Sequence, residues 1–214
     1  MGVGSARVVG RLAALALLFQ SGAAALWRTA QPQTAPIDAH PLRIQVTTIV
    51  EFGEQYLGSE LYNAKITVLE VVRGEKARGI VRLASASNPA PKQGFEYVLA
   101  RVRFEFSART SLANHSYGLD PNQFTATGPD GREFSTPSLA IMPAPSLKGT
   151  LKSGDSLEGW LAFLVPQDTS KPLMVFHEDV GDVSHVGGGT WFELYERPAR
   201  QRSPSEPKVR RATI

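Results

Sequence analysis

The chain has 214 residues, 42% hydrophobic and 20% charged, which places it among folded proteins rather than disordered ones. It has no cysteine, so disulfides, thiolate metal sites, a cysteine nucleophile and a lipid-attachment cysteine are all excluded. The formal charge of +3 is unevenly spread: Arg197, Arg200, Arg202, Lys208, Arg210 and Arg211 face only Glu206 in the last stretch, and Arg7 and Arg11 sit near the start, leaving −4 for residues 12–196. The pI of 9.3 therefore belongs to the ends, and a specific nucleic-acid partner is not implied.

Residues 1–25 read as a signal peptide. Arg7 and Arg11 form a basic start, Leu12 to Phe19 is apolar but too short for the roughly 20 residues of a membrane span, and Ala23-Ala24-Ala25 offers small residues for cleavage. An uncleaved anchor is the other outcome, since Leu26 and Trp27 extend the apolar run; on either reading the body lies outside the cytoplasm, secreted or at the cell surface, with no transmembrane span in the mature chain. Residues 26–41, with Pro32, Pro36 and Pro41, read as an extended linker.

A β-sandwich domain is expected over residues 42–196. Leu42–Val50 alternates, with Ile44, Val46, Thr48 and Val50 on one face. After a loop around Gly53 and Gly58, Ala64–Val72 is rich in β-branched residues. Gly79–Ala84 is a weak strand. Phe95–Phe106 carries Val98, Ala100, Val102, Phe104 and Phe106 on one face; on the other, Phe95, Tyr97 and Leu99 give way to Arg101, Arg103 and Glu105, so burial on both sides is expected only at its start.

Ser107–Pro121 reads as a polar loop. Gln123–Thr127 and Arg132–Thr136 flank Gly128-Pro129-Asp130-Gly131, a hairpin signal. Leu147–Leu151 is a short extended piece. Leu157–Pro166 is the strongest strand, apolar on both faces from Trp160 onward, and is expected to be central in its sheet, with Pro166 ending it. Pro172–His177 and Thr190–Tyr195 complete the set. No helix of useful length is expected after residue 25, apart from a turn or two near Ser135–Met142. Short strands separated by turn signals predict an all-β, antiparallel sandwich. Residues 197–214 hold three prolines and no aromatic residue, and are expected to form a disordered basic tail.

Three stretches, Phe95–Phe106, Gly128–Gly131 and Leu151-Lys-Ser-Gly-Asp-Ser-Leu-Glu-Gly-Trp-Leu-Ala-Phe-Leu-Val-Pro166, resemble a family of exported bacterial domains of unknown function, with a telokin-like, immunoglobulin-like fold and related to an immunoprotective extracellular protein. The resemblance covers about Ile66 to Tyr195. It implies an exported binding or interaction module of the bacterial cell envelope and supplies no catalytic residues. The lipobox cysteine common in that family is absent here.

The densest polar cluster is His177-Glu178-Asp179-Val-Gly-Asp182-Val-Ser-His185. Its two imidazoles and three carboxylates could hold a divalent metal, and its spacing matches no metal motif; the alternative is a solvated loop. Gly187-Gly188-Gly189 could offer amides to an anion but lacks the Lys-Ser/Thr of a phosphate loop. Asn114-His115-Ser116 has the form of a glycosylation acceptor. Tyr56, Tyr62, Trp160 and Trp191 could line a glycan-binding face or lie in the core. No Gly-x-Ser-x-Gly elbow occurs.

The reading is an exported, non-enzymatic module that binds a protein or a cell-envelope polymer, with the basic tail available to an anionic surface and no required cofactor. The alternative is a secreted metal-binding or glycan-acting enzyme using the His177–His185 loop.

Overall fold

The computed structural model describes residues 37–52, 60–111, 113–178 and 189–197. Every described residue belongs to one compact unit, Thr34–Ile214. The expected signal peptide, most of the linker, the Gly53–Gly58 loop and nearly all of the basic tail lie outside the described residues.

Among the described residues the strands are β1 (Gln45–Phe52), β2 (Glu60–Arg73), β3 (Phe95–Ala108), β4 (Tyr117–Leu119), β5 (Phe124–Thr127), β6 (Gly149–Leu151), β7 (Ser156–Pro166), β8 (Leu173–Phe176) and β9 (Thr190–Glu193), and an α-helix, α1 (Gly74–Ala84), follows β2. They form a four-stranded sheet in the order β1-β2-β3-β7, a three-stranded sheet β5-β8-β9, and the pair β4-β6, with all strand pairs antiparallel.

Both larger sheets feed one hydrophobic core. Ile66, Val68, Val102, Phe104, Phe106, Leu161, Phe163 and Val165 come from the four-stranded sheet, and Phe124, Met174, Phe176 and Phe192 from the three-stranded one. Alternation does the sorting: on β3 the even-numbered apolar residues from Val98 to Phe106 point inward, while Arg101 and Arg103 stay exposed. Tyr117 links the layers, stacking on Phe104 at 5.5 Å and on Phe106 at 5.3 Å.

The chain is mostly β rather than all-β. Where a weak strand is expected over Gly79–Ala84, α1 forms and buries Ala77 and Val81. The adjacent β-branched Ile80 and Val81 look like strand locally, and Gly79 weakens any helical pattern. Tertiary packing overrides both: α1 sits over Tyr97, Leu99, Ala162 and Leu164 in a second, smaller core. Gly74, at φ +63°, turns β2 into the helix. Asn88 closes its C-terminal end by donating from Nδ2 to Val81 O at 2.8 Å. No helical turn occurs over Ser135–Met142.

α1 also explains β3. The two-sided burial expected at its start is the part under the helix, with Tyr97 and Leu99 buried, and it ends where Arg101 emerges from beneath α1.

β7 corrects a second expectation. It is an edge strand of the four-stranded sheet rather than a central one. Its two apolar faces arise because the core lies under one and α1 over the other, so layers rather than neighbouring strands cover it. Smaller differences concern the loops. The polar stretch Ser107–Pro121 contains β4, which pairs with β6, and Ile44 is half-exposed rather than inward. The hairpin turn is present, with Gly131 at φ +79° and Gly131 N donating to Gly128 O at 3.0 Å. Its second arm returns through the Thr127–Glu133 bridge, with Gly128 N donating to Arg132 O and Phe134 N to Ala126 O, each at 2.8 Å. At the other end, His40 bridges Phe192 in parallel, tying the start of the described body to β9.

Candidate functional site

Of the five metal candidates, His177 and Glu178 are described, while Asp179, Asp182 and His185 lie outside the described residues. His177 follows β8 directly, and its backbone N–H donates to Gln123 O at 2.8 Å. The Glu178 carboxylate accepts the Thr48 hydroxyl. Its carbonyl accepts the Tyr117 hydroxyl at 3.1 Å and Gln123 Nε2 at 3.4 Å, while Gln123 Nε2 also donates to Tyr117 Oη at 2.6 Å. Each of these polar atoms thus holds the exit of β8 against β1, β4 and the 3-10 turn Pro121–Gln123. Among the described residues no three His, Asp or Glu side chains converge in a way that could hold a metal.

The other sequence candidates also find structural places. Tyr62 is fully buried and Trp160 is half-buried against the small core under α1, so neither contributes to an open aromatic face. Trp191 is half-buried, and Tyr56 lies outside the described residues. Gly189 lies against Val175 so closely that a Cβ there would collide with its side chain, which assigns this glycine to packing on β8.

A polar knot that the sequence did not announce surrounds Glu60. Its Oε2 accepts the Tyr62 hydroxyl at 2.6 Å and the Asn114 N–H at 3.0 Å, and lies 2.9 Å from His115 Nδ1. The His115 ring stacks on Phe52 at 5.1 Å. The Tyr62 and His115 hydrogen bonds, in that order, with the Asn114 amide behind them, pull the Glu60 carboxyl down to about 2. Burial, and then the Glu60 carboxylate, push the Tyr62 phenol up. These atoms clamp the 113–116 segment to the start of β2.

On the outer face of the four-stranded sheet Glu158 sits between Arg101 at 2.5 Å and Arg103 at 2.9 Å. The three are partly exposed and form a cross-strand network in which one carboxylate is shared by two guanidinium groups.

A cleft of about 260 Å³ with largely apolar walls lies between β7 and β5. Its floor is Leu161, Ala162, Phe163 and Phe124, and its outer wall Pro137, Leu139 and Met142. At the mouth, Lys148 Nζ lies 3.1 Å from Asp120 Oδ2. Asp120 caps the 3-10 turn, accepting from Asn122 N at 2.9 Å; that bond first, and Lys148 after it, hold its carboxyl below the usual range. The wall is pinned by Asn88, whose Nδ2 donates to Ile141 O at 2.8 Å and whose Oδ1 accepts from Ile141 N at 3.1 Å. The sequence carried no sign of this cleft, because its lining comes from four separated stretches.

A mostly-β domain of antiparallel sheets with one covering helix and an apolar cleft at a sheet edge defines the class. The chain belongs to the family described as a domain of unknown function, DUF4352, whose model matches residues 59–185. All three stretches that carried the sequence resemblance fall within that match, and the resemblance is borne out. No curated protein matches the chain.

Three solved structures are similar to it. One is ycdA from Bacillus subtilis, a lipoprotein by its description, at 16% identity and TM-score 0.43; the match covers 61% of this chain and 35% of that one, so this chain spans about a third of that protein's length. Another is the yjhA protein from Bacillus subtilis, at 14% identity and TM-score 0.41, covering 67% of this chain and 86% of that one. The third is MPT63, a secreted protein from Mycobacterium tuberculosis, at 13% identity and TM-score 0.42, covering 74% of this chain and 98% of that one.

Proposed function

We propose that the chain is an exported, non-enzymatic module with an immunoglobulin-like sandwich body, which binds a protein or a cell-envelope component. The observation that supports binding is the cleft beside β7. It offers apolar contact area, and the carboxylate and ammonium at its mouth neutralise each other. Export is supported by the basic start, short apolar run and small residues of 1–25. The basic residues of 197–214 add an anionic surface as a second contact, at about 1 kcal/mol per basic residue near such a surface and screened by salt.

The test is binding of the exported protein to isolated envelopes of the producing cells. Saturable binding, abolished by protease or by polymer extraction of the envelopes, is expected. Release of envelope sugars by the protein, without saturable binding, would overturn the proposal in favour of a glycan-acting enzyme. The metal alternative is separated by thermal shift with calcium and zinc: a rise in Tm that disappears in His177→Ala would favour the His177–His185 loop as the working part.

A further inference from the structure

β7 has an edge that is only partly used. In its ladder with β3, Gln167 N donates to Gly94 O at 2.9 Å and Phe106 N to Asp155 O at 3.0 Å, so odd-numbered residues of this strand carry the bonds to β3. The even-numbered residues point their N–H and C=O groups the other way. Trp160 confirms the phase: its N–H donates to Pro145 O at 2.7 Å, and its carbonyl accepts from Leu147 N at 3.3 Å. Through these bonds Ser146 bridges Trp160 in parallel, as one residue of an added strand would.

The next two even positions are Ala162 and Leu164. Both are buried, and no hydrogen bond reaches their edge-facing groups among the described residues. Ala162 lines the cleft with Leu161, Phe163, Phe124, Leu139 and Met142.

From this we infer that the β7 edge at Ala162 and Leu164 is a docking site for an extended segment of another polypeptide, which adds to the sheet beside β7 and places an apolar side chain in the cleft. The inference rests on the reading of the chain as a binding module and names its site and partner class. Paired donors and acceptors at strand spacing are complementary to another peptide backbone, which repeats the same groups about every 7 Å along one edge. A sugar or a lipid tail does not repeat them. The apolar walls select the side chain, and the Asp120–Lys148 pair faces the polar residues next to it. At about 260 Å³ the cleft lies below the usual range for a compact small-molecule ligand and suits a short length of chain.

The experiment uses the exported protein, ¹⁵N-labelled, titrated with a short capped peptide of alternating valine and threonine. The same peptide N-methylated on alternate residues, in both phases, is the control. Saturable amide shifts at Ala162 and Leu164 are expected with the plain peptide, weakened roughly tenfold or more by N-methylation in the pairing phase.

Ala162→Pro removes an N–H that the β3 ladder does not use, a position where an edge strand tolerates proline. It should weaken binding by about the same factor. Thr136→Arg, an exposed residue at the cleft wall, should block binding without touching the core. Absence of saturable shifts at Ala162 and Leu164, or equal binding by the protein and both variants, overturns the inference. Self-association that Ala162→Pro abolishes, or peptide binding seen only after deletion of 198–214, overturns the assignment of the partner, giving the edge to a second copy or to the chain's own tail. If envelope binding persists in both variants, this site fails while the binding-module reading stands. Peptide binding without any envelope binding has the reverse meaning.

Discussion

Gly159 of β7 lies against the backbone of Ser146: a Cβ built at Gly159 would meet Ser146 C and Leu147 N at 2.5 Å. The glycine allows residues 145–147 to approach closely enough to pair with Trp160 and shield that part of the β7 edge. Gly159→Ala is expected to push this segment away and cost about 1–3 kcal/mol, as overpacking does. Denaturant unfolding should show a lower midpoint at unchanged slope, and the Leu147 amide should exchange faster than in the parent protein.

Glu60 makes the domain acid-sensitive in a defined window. Its carboxyl titrates at about 2 in the folded protein against an ordinary 4.5. A depressed acid stabilises the fold fully above 4.5, and that contribution disappears as pH falls from 4.5 through about 2. The melting temperature should fall across this window. In Glu60→Gln the fall should be shallower, with the Asn114 and His115 amides exchanging faster at neutral pH.

Phe104 is fully buried between Tyr117, stacked at 5.5 Å, and Phe176, edge-on at 5.7 Å. It joins the four-stranded sheet to both of the other sheets. Phe104→Ala should cost about 3–5 kcal/mol in equilibrium unfolding. Leu83→Ala, at an exposed position on α1, should leave the unfolding midpoint within about 0.5 kcal/mol of the parent. Similar losses for the two would mean that the sheets do not share one core.

Asn88 holds two elements at once, Val81 at the end of α1 and Ile141 in the cleft wall. Asn88→Ala leaves the Ile141 N–H without its acceptor and Val81 O with one donor fewer, and should cost about 1–3 kcal/mol. Hydrogen exchange should rise at Ile141 and in the last turn of α1, while the β1–β2 amides keep their protection. A uniform rise across all sheets would contradict this local role.

Much of the strand content was legible because alternation is a local signal. Val98 to Phe106 on β3 announce their inner face by spacing two, and the change from Leu99 to Arg101 marks where a second covering layer ends. α1 was not legible, because Ala77 and Val81 are its only fully buried residues and the glycines beside them depress helical propensity. Of the metal candidates only His177 and Glu178 fall within the described residues. His177 and Glu178 stand out as polar neighbours in sequence, yet in the fold their described hydrogen bonds secure the exit of β8. The cleft was hidden because Phe124, Met142, Lys148 and Ala162 meet only after the sheets close.

The sequence by itself determined the membership in a family of mostly-β domains, the faces of the long strands and the absence of cysteine chemistry, since each depends on residue identity or on spacing along one strand. Only the tertiary structure decided that β7 is an edge, that a helix covers its outer face, and that Ala162 lines a cleft beside that edge. Burial on both faces looks the same in sequence whether strands flank β7 or layers cover it. Which backbone groups remain unpaired depends on the neighbour, and side-chain pattern does not encode that neighbour.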